Sequence, residues 1–130
     1  MIVDSSALVA ILEKQPEALR LADAIAGNSL RWVPASCFLE TSILLFGRGG
    51  EDSVRDLDLL IARFRMEIVA FTESQARLAR EGFKRFGKGR HPAQLNFGDC
   101  MAYALAKETG EELLFKGTDF AQTDIVVASY

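Results

Sequence analysis

Met1-Ile2-Val3-Asp4-Ser5-Ser6 opens the chain with a short apolar run that leads straight into a carboxylate and two hydroxyls. Ile2 and Val3 read as a buried strand. Asp4 sits where that strand gives out, and Ala7-Leu8-Val9-Ala10-Ile11-Leu12 reads as a helix behind it. Open α/β sheets bind ligands just beyond the carboxyl ends of their strands. An acid at this point is therefore a candidate site residue. The competing reading is a plain helix cap by Asp4 or Ser5. The rest of the chain bears on which of the two holds.

Outward from this stretch, strands and helices alternate. Gln15-Pro16-Glu17 restarts the chain, with proline at a first helical position. Ala18, Leu21, Ala22 and Ile25 follow at helical spacing, and Gly27 supplies a left-handed cap. Residues 30–33 form a short strand stopped by Pro34, and 36–46 form a largely apolar helix whose only charge is Glu40. A charge in such a setting needs a polar cleft, a cation or a basic partner. Gly47-Arg48-Gly49-Gly50 reads as a turn before an amphipathic helix over 51–64. A strand at 68–71 precedes Thr72 and Gln75, which fit a capping box. The helix they open buries Ala79, Phe83 and Phe86. Its other face carries Arg77, Arg80, Lys84 and Lys88, with Arg85 near the end. A basic loop over 87–92 leads to Asp99, which starts a mostly buried helix over 100–108 that Gly110 ends. Strands at 113–115 and, at an edge, 125–127 complete the pattern. The expectation is one α/β domain spanning residues 1–130, with a mostly parallel sheet of about five strands and helices on both faces.

At 130 residues the chain is long enough for a real core. No long uncharged apolar run suggests a membrane span, and no basic region followed by an apolar one suggests a signal peptide. Cys37 and Cys100 form no CxxC pair and read as small buried hydrophobes in a reducing, cytoplasmic setting. His91 is the only histidine, which argues against a zinc site. The net charge of −3 leaves nucleic-acid binding to a local basic patch.

Four carboxylates share a feature. Asp4 and Asp119 each leave a strand, Asp99 opens a helix, and Glu40 lies alone on an apolar one. In a parallel sheet Asp4 and Asp119 fall at the same edge. Acids converging there repel one another and are forced towards protonation unless a cation is present. Oxygen ligands without histidine or thiolate select a hard ion, magnesium or manganese. Such an ion makes a hydroxide-like nucleophile from water and stabilises charge on a phosphoryl oxygen, which suits phosphodiester hydrolysis. Ser6 and Thr118 either orient a metal-bound water or form ordinary caps and turns.

These residues resemble a known family. The opening Ile-Val-Asp-Ser-Ser-Ala, the lone Glu40, Leu95-Asn96-Phe97-Gly98-Asp99-Cys100 and Phe115-Lys116-Gly117-Thr118-Asp119-Phe120 are similar to those of PIN-domain ribonucleases. More narrowly, they resemble VapC-type toxins of type II toxin–antitoxin systems. The resemblance implies a Mg2+- or Mn2+-dependent endoribonuclease with Asp4, Glu40, Asp99 and Asp119 as its acidic metal site. Asp4 and Asp99 are then the most direct ligands, and Asp119 matches the family's more variable acid. Ser6 and Thr118 match polar positions beside the metal. The resemblance also implies an RNA substrate, a homodimer, and a cognate VapB-type antitoxin whose tail blocks the site.

Other residues have two readings each. The basic face, continued by Arg90 and His91, either tracks an RNA backbone or is a solvated surface. Arg90 and His91 are the better substrate-binding candidates of this set, because their loop leads to Asp99. Lys116 lies near the site and either holds an acid or touches phosphate. Asn96 bonds the Asp99 loop, Asp124 is a turn residue, and Trp32 and Phe120 are packing. One alternative is a catalytically silent PIN-like module that binds RNA or protein. A haloacid-dehalogenase-like phosphatase is another, but it needs a second aspartate where Ser6 stands. A receiver domain needs an acceptor aspartate where Thr72 stands.

Overall fold

The computed structural model describes residues 1–130. Strand β1 is only Ile2–Val3, yet it is central to a four-stranded sheet of order β3-β2-β1-β4. Successive strand residues point to opposite faces, and both Ile2 and Val3 are fully buried. The sheet is therefore covered on both sides at its centre, which is why β1 is continuously apolar and not alternating. Every pairing is parallel: Ile2 lies opposite Trp32 of β2 (Trp32–Pro34) and Leu113 of β4 (Leu113–Leu114). Val33 lies opposite Ile68 of β3 (Glu67–Val69).

The crossovers are helical, as parallel strands require. Helices α1 (Ser5–Leu12) and α2 (Ala18–Ala26) lie between β1 and β2. Helix α3 (Ala35–Arg63) leads to β3, and α4 (Glu73–Phe86) and α5 (Phe97–Thr109) lead to β4. Helix α5 is the core helix, packing on α4 and against β1, β2 and β4. Its Ala102, Tyr103, Ala104, Leu105 and Ala106 are all buried. Cys37 and Cys100 are buried free thiols, as read from the sequence. No helix is long and apolar enough to cross a membrane.

The structure corrects several local readings. The sheet has four strands, one fewer than expected. The 125–127 segment makes a single bridge, Val127 opposite Leu113, with Leu113 N–H donating to Val126 O and Ala128 N–H to Leu113 O (both 3.0 Å). Val126 and Val127 are largely exposed, so little burial holds a longer ladder at this edge. Helix α3 runs on through Gly47, Arg48 and Gly49, and only Gly50 breaks it, at φ 67° and ψ −153°. A helical glycine costs about 1 kcal/mol against alanine, less than the anchoring by buried Leu45 and Leu57 on either side.

Pro16 and Glu17 form a turn, and α2 starts only at Ala18. Gly27 keeps a right-handed φ of −73° and is no left-handed cap. The Arg31 side chain does that work, donating to Ala26 O (2.9 Å) and Asn28 O (2.6 Å) at the end of α2 and to Phe64 O (2.7 Å) after α3.

On α4, Phe83 is 39 % exposed, although the sequence pattern placed it inside. Gly82 is buried in its stead, and a Cβ there would come within 2.6 Å of the Tyr103 ring. Helices α4 and α5 thus touch through a glycine. The Thr72–Gln75 capping box is half formed. Thr72 Oγ1 accepts from Gln75 N (3.2 Å), but the Gln75 side chain donates to Glu108 (2.9 Å).

Candidate acidic active site

Asp4 is both a cap and a buried acid. It is only 3 % exposed and N-caps α1, its Oδ2 accepting from Ser6 N (2.9 Å) and Ser6 Oγ (2.6 Å). Its Oδ1 accepts from the Cys37 thiol (Sγ 3.6 Å) on α3. Ser6 Oγ also accepts from Lys116 N (2.9 Å), which ties the exit of β4 to the exit of β1.

Asp99 is the third residue of α5 and not its opener. Asn96 is the cap: its side chain accepts from Asp99 N, and Asp99 Oδ2 accepts from Asn96 N (both 2.9 Å). Asn96 thus fills the loop-binding role read from the sequence. Both acids sit at helix N-termini, where the backbone dipole favours negative charge. Glu40 is exposed on α3 and lies against the first turn of α5. A Cβ built on Gly98 would stand 3.1 Å from Glu40 Oε2. Asp119 is exposed at the head of a 3-10 turn, Phe120–Gln122.

The Asp99 carboxyl registers the convergence. Burial pushes its pKa up to about 6, against the opposing Asn96 N–H, and the charges of Asp4, Asp119 and Glu40 raise it further. Like charges from three other parts of the fold therefore act on one group. No three of the acids stand close enough to clasp an ion in this conformation. The donor set itself is all carboxylate oxygen, which fits a hard divalent cation. A cation would also relieve the repulsion that raises Asp99. Beside the acids lies a cavity of about 390 Å³, with Ser5, Ser6, Gln15, Glu40, Thr41 and Lys116 in its wall.

The remaining candidates are engaged elsewhere. The Lys116 ammonium bonds Gln15 (2.6 Å) and Glu17 (3.2 Å), so it is anchored to the α1–α2 connection and holds none of the four acids. Thr118 is exposed, and its carbonyl accepts from Gln122 (3.5 Å). His91 Nδ1 accepts from Ala93 N (3.1 Å), and its ring stands edge-on to Phe86 at 5.1 Å. The Arg90 guanidinium lies over Phe83 at 6.0 Å. On the basic face, Arg77 pairs with Glu73, Arg80 and Lys84 with Glu81, and Arg85 with Asp124.

Sequence reading missed two features of this region. Asp124 is no simple turn residue, since it accepts from Tyr103 Oη (2.8 Å), Lys107 Nζ (2.9 Å) and Arg85 Nη1 (2.9 Å). Burial pushes its pKa up, but these hydrogen bonds outweigh that and bring it to about 2. The segment after Asp119 is thereby fastened to α4 and α5. The second feature is the Cys37 contact with Asp4. Neither has a spacing signal, because both join residues far apart in the chain.

Comparison with known proteins places the chain in a family. The PIN domain family model matches residues 1–126. A Ribonuclease VapC of Mycolicibacterium smegmatis is 47 % identical over 125 residues, which span 96 % of this chain and 97 % of that protein. Ribonuclease VapC30 of Mycobacterium tuberculosis is 43 % identical over 129 residues, covering 99 % and 98 %. Among solved structures, the sarcin-ricin-loop-cleaving toxin VapC20 of Mycobacterium tuberculosis superposes with a TM-score of 0.79. It covers 98 % of this chain and 97 % of its own, at 17 % identity. VapBC2 of Rickettsia felis, bound to a promoter DNA fragment, gives 0.76 at 15 % identity, over 98 % and 96 %. The distant pair shares the fold, the near pair aligns over almost the whole chain at 43–47 % identity, and the chain accordingly belongs to the PIN-domain family, among its VapC ribonucleases.

Proposed function

We propose that this chain is the toxin of a toxin–antitoxin pair, an endoribonuclease that hydrolyses RNA phosphodiesters with a water activated at the acidic cluster. The observation that carries the reading is the placement of Asp4 at the exit of β1 and of Glu40 and Asp99 together at the first turn of α5, and burial first, then the charges of Asp4, Asp119 and Glu40, push the Asp99 carboxyl up to about 6. Carboxylates gathered at such cost need a cationic counterpart. Asp4 and Asp99 would hold Mg2+ or Mn2+ most directly, with Glu40 and Asp119 completing the acidic shell. Bound there, the ion supplies a low-pKa water and stabilises charge on the phosphoryl oxygen.

The chain's own groups set the geometry of that shell. Ser6 occupies Asp4 Oδ2 twice over and leaves Oδ1 facing only a thiol. The Asn96 N–H fixes Asp99 Oδ2 and leaves Oδ1 free of that bond. Gly98 lets Glu40 approach the first turn of α5. Lys116 lines the same cavity as Glu40 and is the cation best placed to meet an RNA phosphate entering it. Thr118 neighbours Asp119 and is a lesser polar candidate. Arg90 and His91 are more distant substrate contacts.

The relatives assign the partners. Toxin–antitoxin complexes of this fold support a VapB-type antitoxin for this chain, and the two free cysteines suit a reducing, cytoplasmic setting. The homodimer is best placed on the exposed apolar face beside the acids, where Leu39 is 58 %, Ile43 65 % and Phe97 83 % exposed. Membership of the PIN family removes the phosphatase reading. The presence of all four acids favours an active enzyme over a silent binding module.

The direct test is cleavage of a pool of structured RNAs by protein freed of copurifying partner, with Mg2+, Mn2+ or EDTA, beside Asp4→Ala. Cutting is expected only with metal and only in wild type. The products should carry 5′-phosphate and 3′-hydroxyl ends, because water and not the 2′-hydroxyl attacks. Cyclic phosphate ends would rule this mechanism out.

Gly98→Ala offers a finer test. Its methyl would crowd Glu40 Oε1 and Oε2 at 3.2 and 3.1 Å. Helix propensity favours alanine by about 1 kcal/mol, so the melting temperature should hold or rise. Cleavage should fall by roughly tenfold, since displacements well under 1 Å already misalign reacting groups. Unchanged cleavage would remove Glu40 from the site.

A further inference from the structure

We infer that Cys37 is a positioning residue of the nuclease: its thiol, donated to Asp4 Oδ1, fixes the carboxylate that the metal ion needs. The inference rests on the reading of Asp4 as a metal-holding acid. Its grounds are the partners of the two carboxylate oxygens. Oδ2 takes two donors from Ser6, at 2.9 and 2.6 Å, and these pin that oxygen to the N-terminus of α1. Two bonds to one oxygen still allow the carboxylate to pivot about it. Oδ1 has a single protein donor, Cys37 Sγ at 3.6 Å. That contact comes from α3, a different element, and it sets the second point of the carboxylate plane.

The chemistry of sulfur suits this place. An S–H is a weak donor, and a carboxylate oxygen has two lone pairs. A thiol orients Oδ1 while leaving it electron-rich towards a cation. A charged donor such as lysine would bind the same oxygen strongly and compete with the ion. Cys37 is fully buried, so the thiol has no water to bond in place of Asp4. The same turn of chain leads to Glu40 on α3. One helix thus carries one acid of the cluster and the contact that orients another.

A simple packing role is the rival, and three substitutions separate the two. Cys37→Val keeps an apolar side chain of similar volume and removes the donor. Cys37→Ser keeps a donor in a smaller side chain. Cys37→Ala removes both. Two readouts are needed: the rise in melting temperature on titration with Mn2+, without RNA, and kcat and KM for RNA cleavage. Outer-shell partners of metal ligands typically carry a factor of 10–100 in affinity or activity. The weak thiol should fall near the lower end. Cys37→Val and Cys37→Ala should each need roughly tenfold more Mn2+ for the same melting shift. Both should lose kcat with little change in KM, while Cys37→Ser stays near wild type in both readouts.

Wild-type behaviour from Cys37→Val would overturn the proposal, as would equal impairment of Cys37→Ser and Cys37→Ala. Either pattern means that volume and not the donor matters. Because the Mn2+ shift is read without substrate, it reports on Cys37 even if the RNA pool contains no cleavable target. Failure of wild-type cleavage would count against the nuclease reading alone.

Discussion

Asp99→Asn should abolish RNA cleavage and, in metal-free solution near neutral pH, make the protein more stable. The loss of activity follows from removing one charge of the ion-holding set, and a fall of about a hundredfold or more is expected. The gain in stability follows from linkage. An aspartate titrates near 3.8 when unperturbed and Asp99 near 6 in the folded protein, because burial and then Asp4, Asp119 and Glu40 disfavour its charged form. The folded state therefore binds the proton more tightly than the unfolded state. Stability is unpenalised below about pH 4, falls as pH rises towards 6, and stays low above it. Asp99 is only partly buried, so solvent screening brings the penalty to about 1–2 kcal/mol. Asparagine carries no charge to penalise and still offers an oxygen to the Asn96 N–H. Thermal melts in EDTA should show the variant above wild type near pH 8 and level with it near pH 4. Adding Mn2+ should raise wild type and leave the variant nearly unmoved. A variant less stable than wild type at pH 8 would mean that burial and the neighbouring acids do not penalise the charged form as described.

Arg31→Ala carries the largest expected loss of stability. One guanidinium closes the ends of two helices, with bonds of 2.9 and 2.6 Å at Ala26 O and Asn28 O and 2.7 Å at Phe64 O. Hydrogen bonds from a charged donor contribute about 1.5–3 kcal/mol each when buried. Arg31 is only half-buried, and water would take over part of the work. A net loss of about 2–4 kcal/mol is expected, read as a lower urea midpoint at unchanged slope. Lysine cannot fork to three carbonyls, so Arg31→Lys should recover less than half of it. A loss below about 1 kcal/mol would show that solvent already satisfies these carbonyls.

Much of the fold was legible because it depends on short-range patterns. The run from Ile2 to Asp4, the helical stripe of α2 and the alternation of strand and helix each follow from side-chain period and end signals. What misled were glycines and edges. Residues 47–50 read as a turn, but the helix continues through Gly47 and Gly49 and kinks only at Gly50. Gly27 read as a left-handed cap, but the Arg31 side chain, four residues on, folds back to the end of the helix and removes the need for one. Residues 125–127 read as a strand, but at an exposed edge they had too little to bury.

The acidic site divides in the same way. Which side chains are available was legible from the residues alone: three carboxylates at the ends of elements and a fourth, Glu40, alone on an apolar helix, without a histidine or cysteine set to compete for a softer metal. The sequence also put Asp4 at a helix start and Asp99 within the first turn of one, because helix starts are local events governed by capping within three or four residues, although the cap of α5 is Asn96 and not Asp99. Only the tertiary structure decided that Glu40 reaches the first turn of α5 through the gap at Gly98. It alone showed Cys37 donating to Asp4, Lys116 turned towards Gln15 and Glu17, and Asp124 fastening the segment after Asp119. Each of those contacts joins residues from separate elements. Their meeting depends on strand order and helix packing, which no periodicity along the chain encodes.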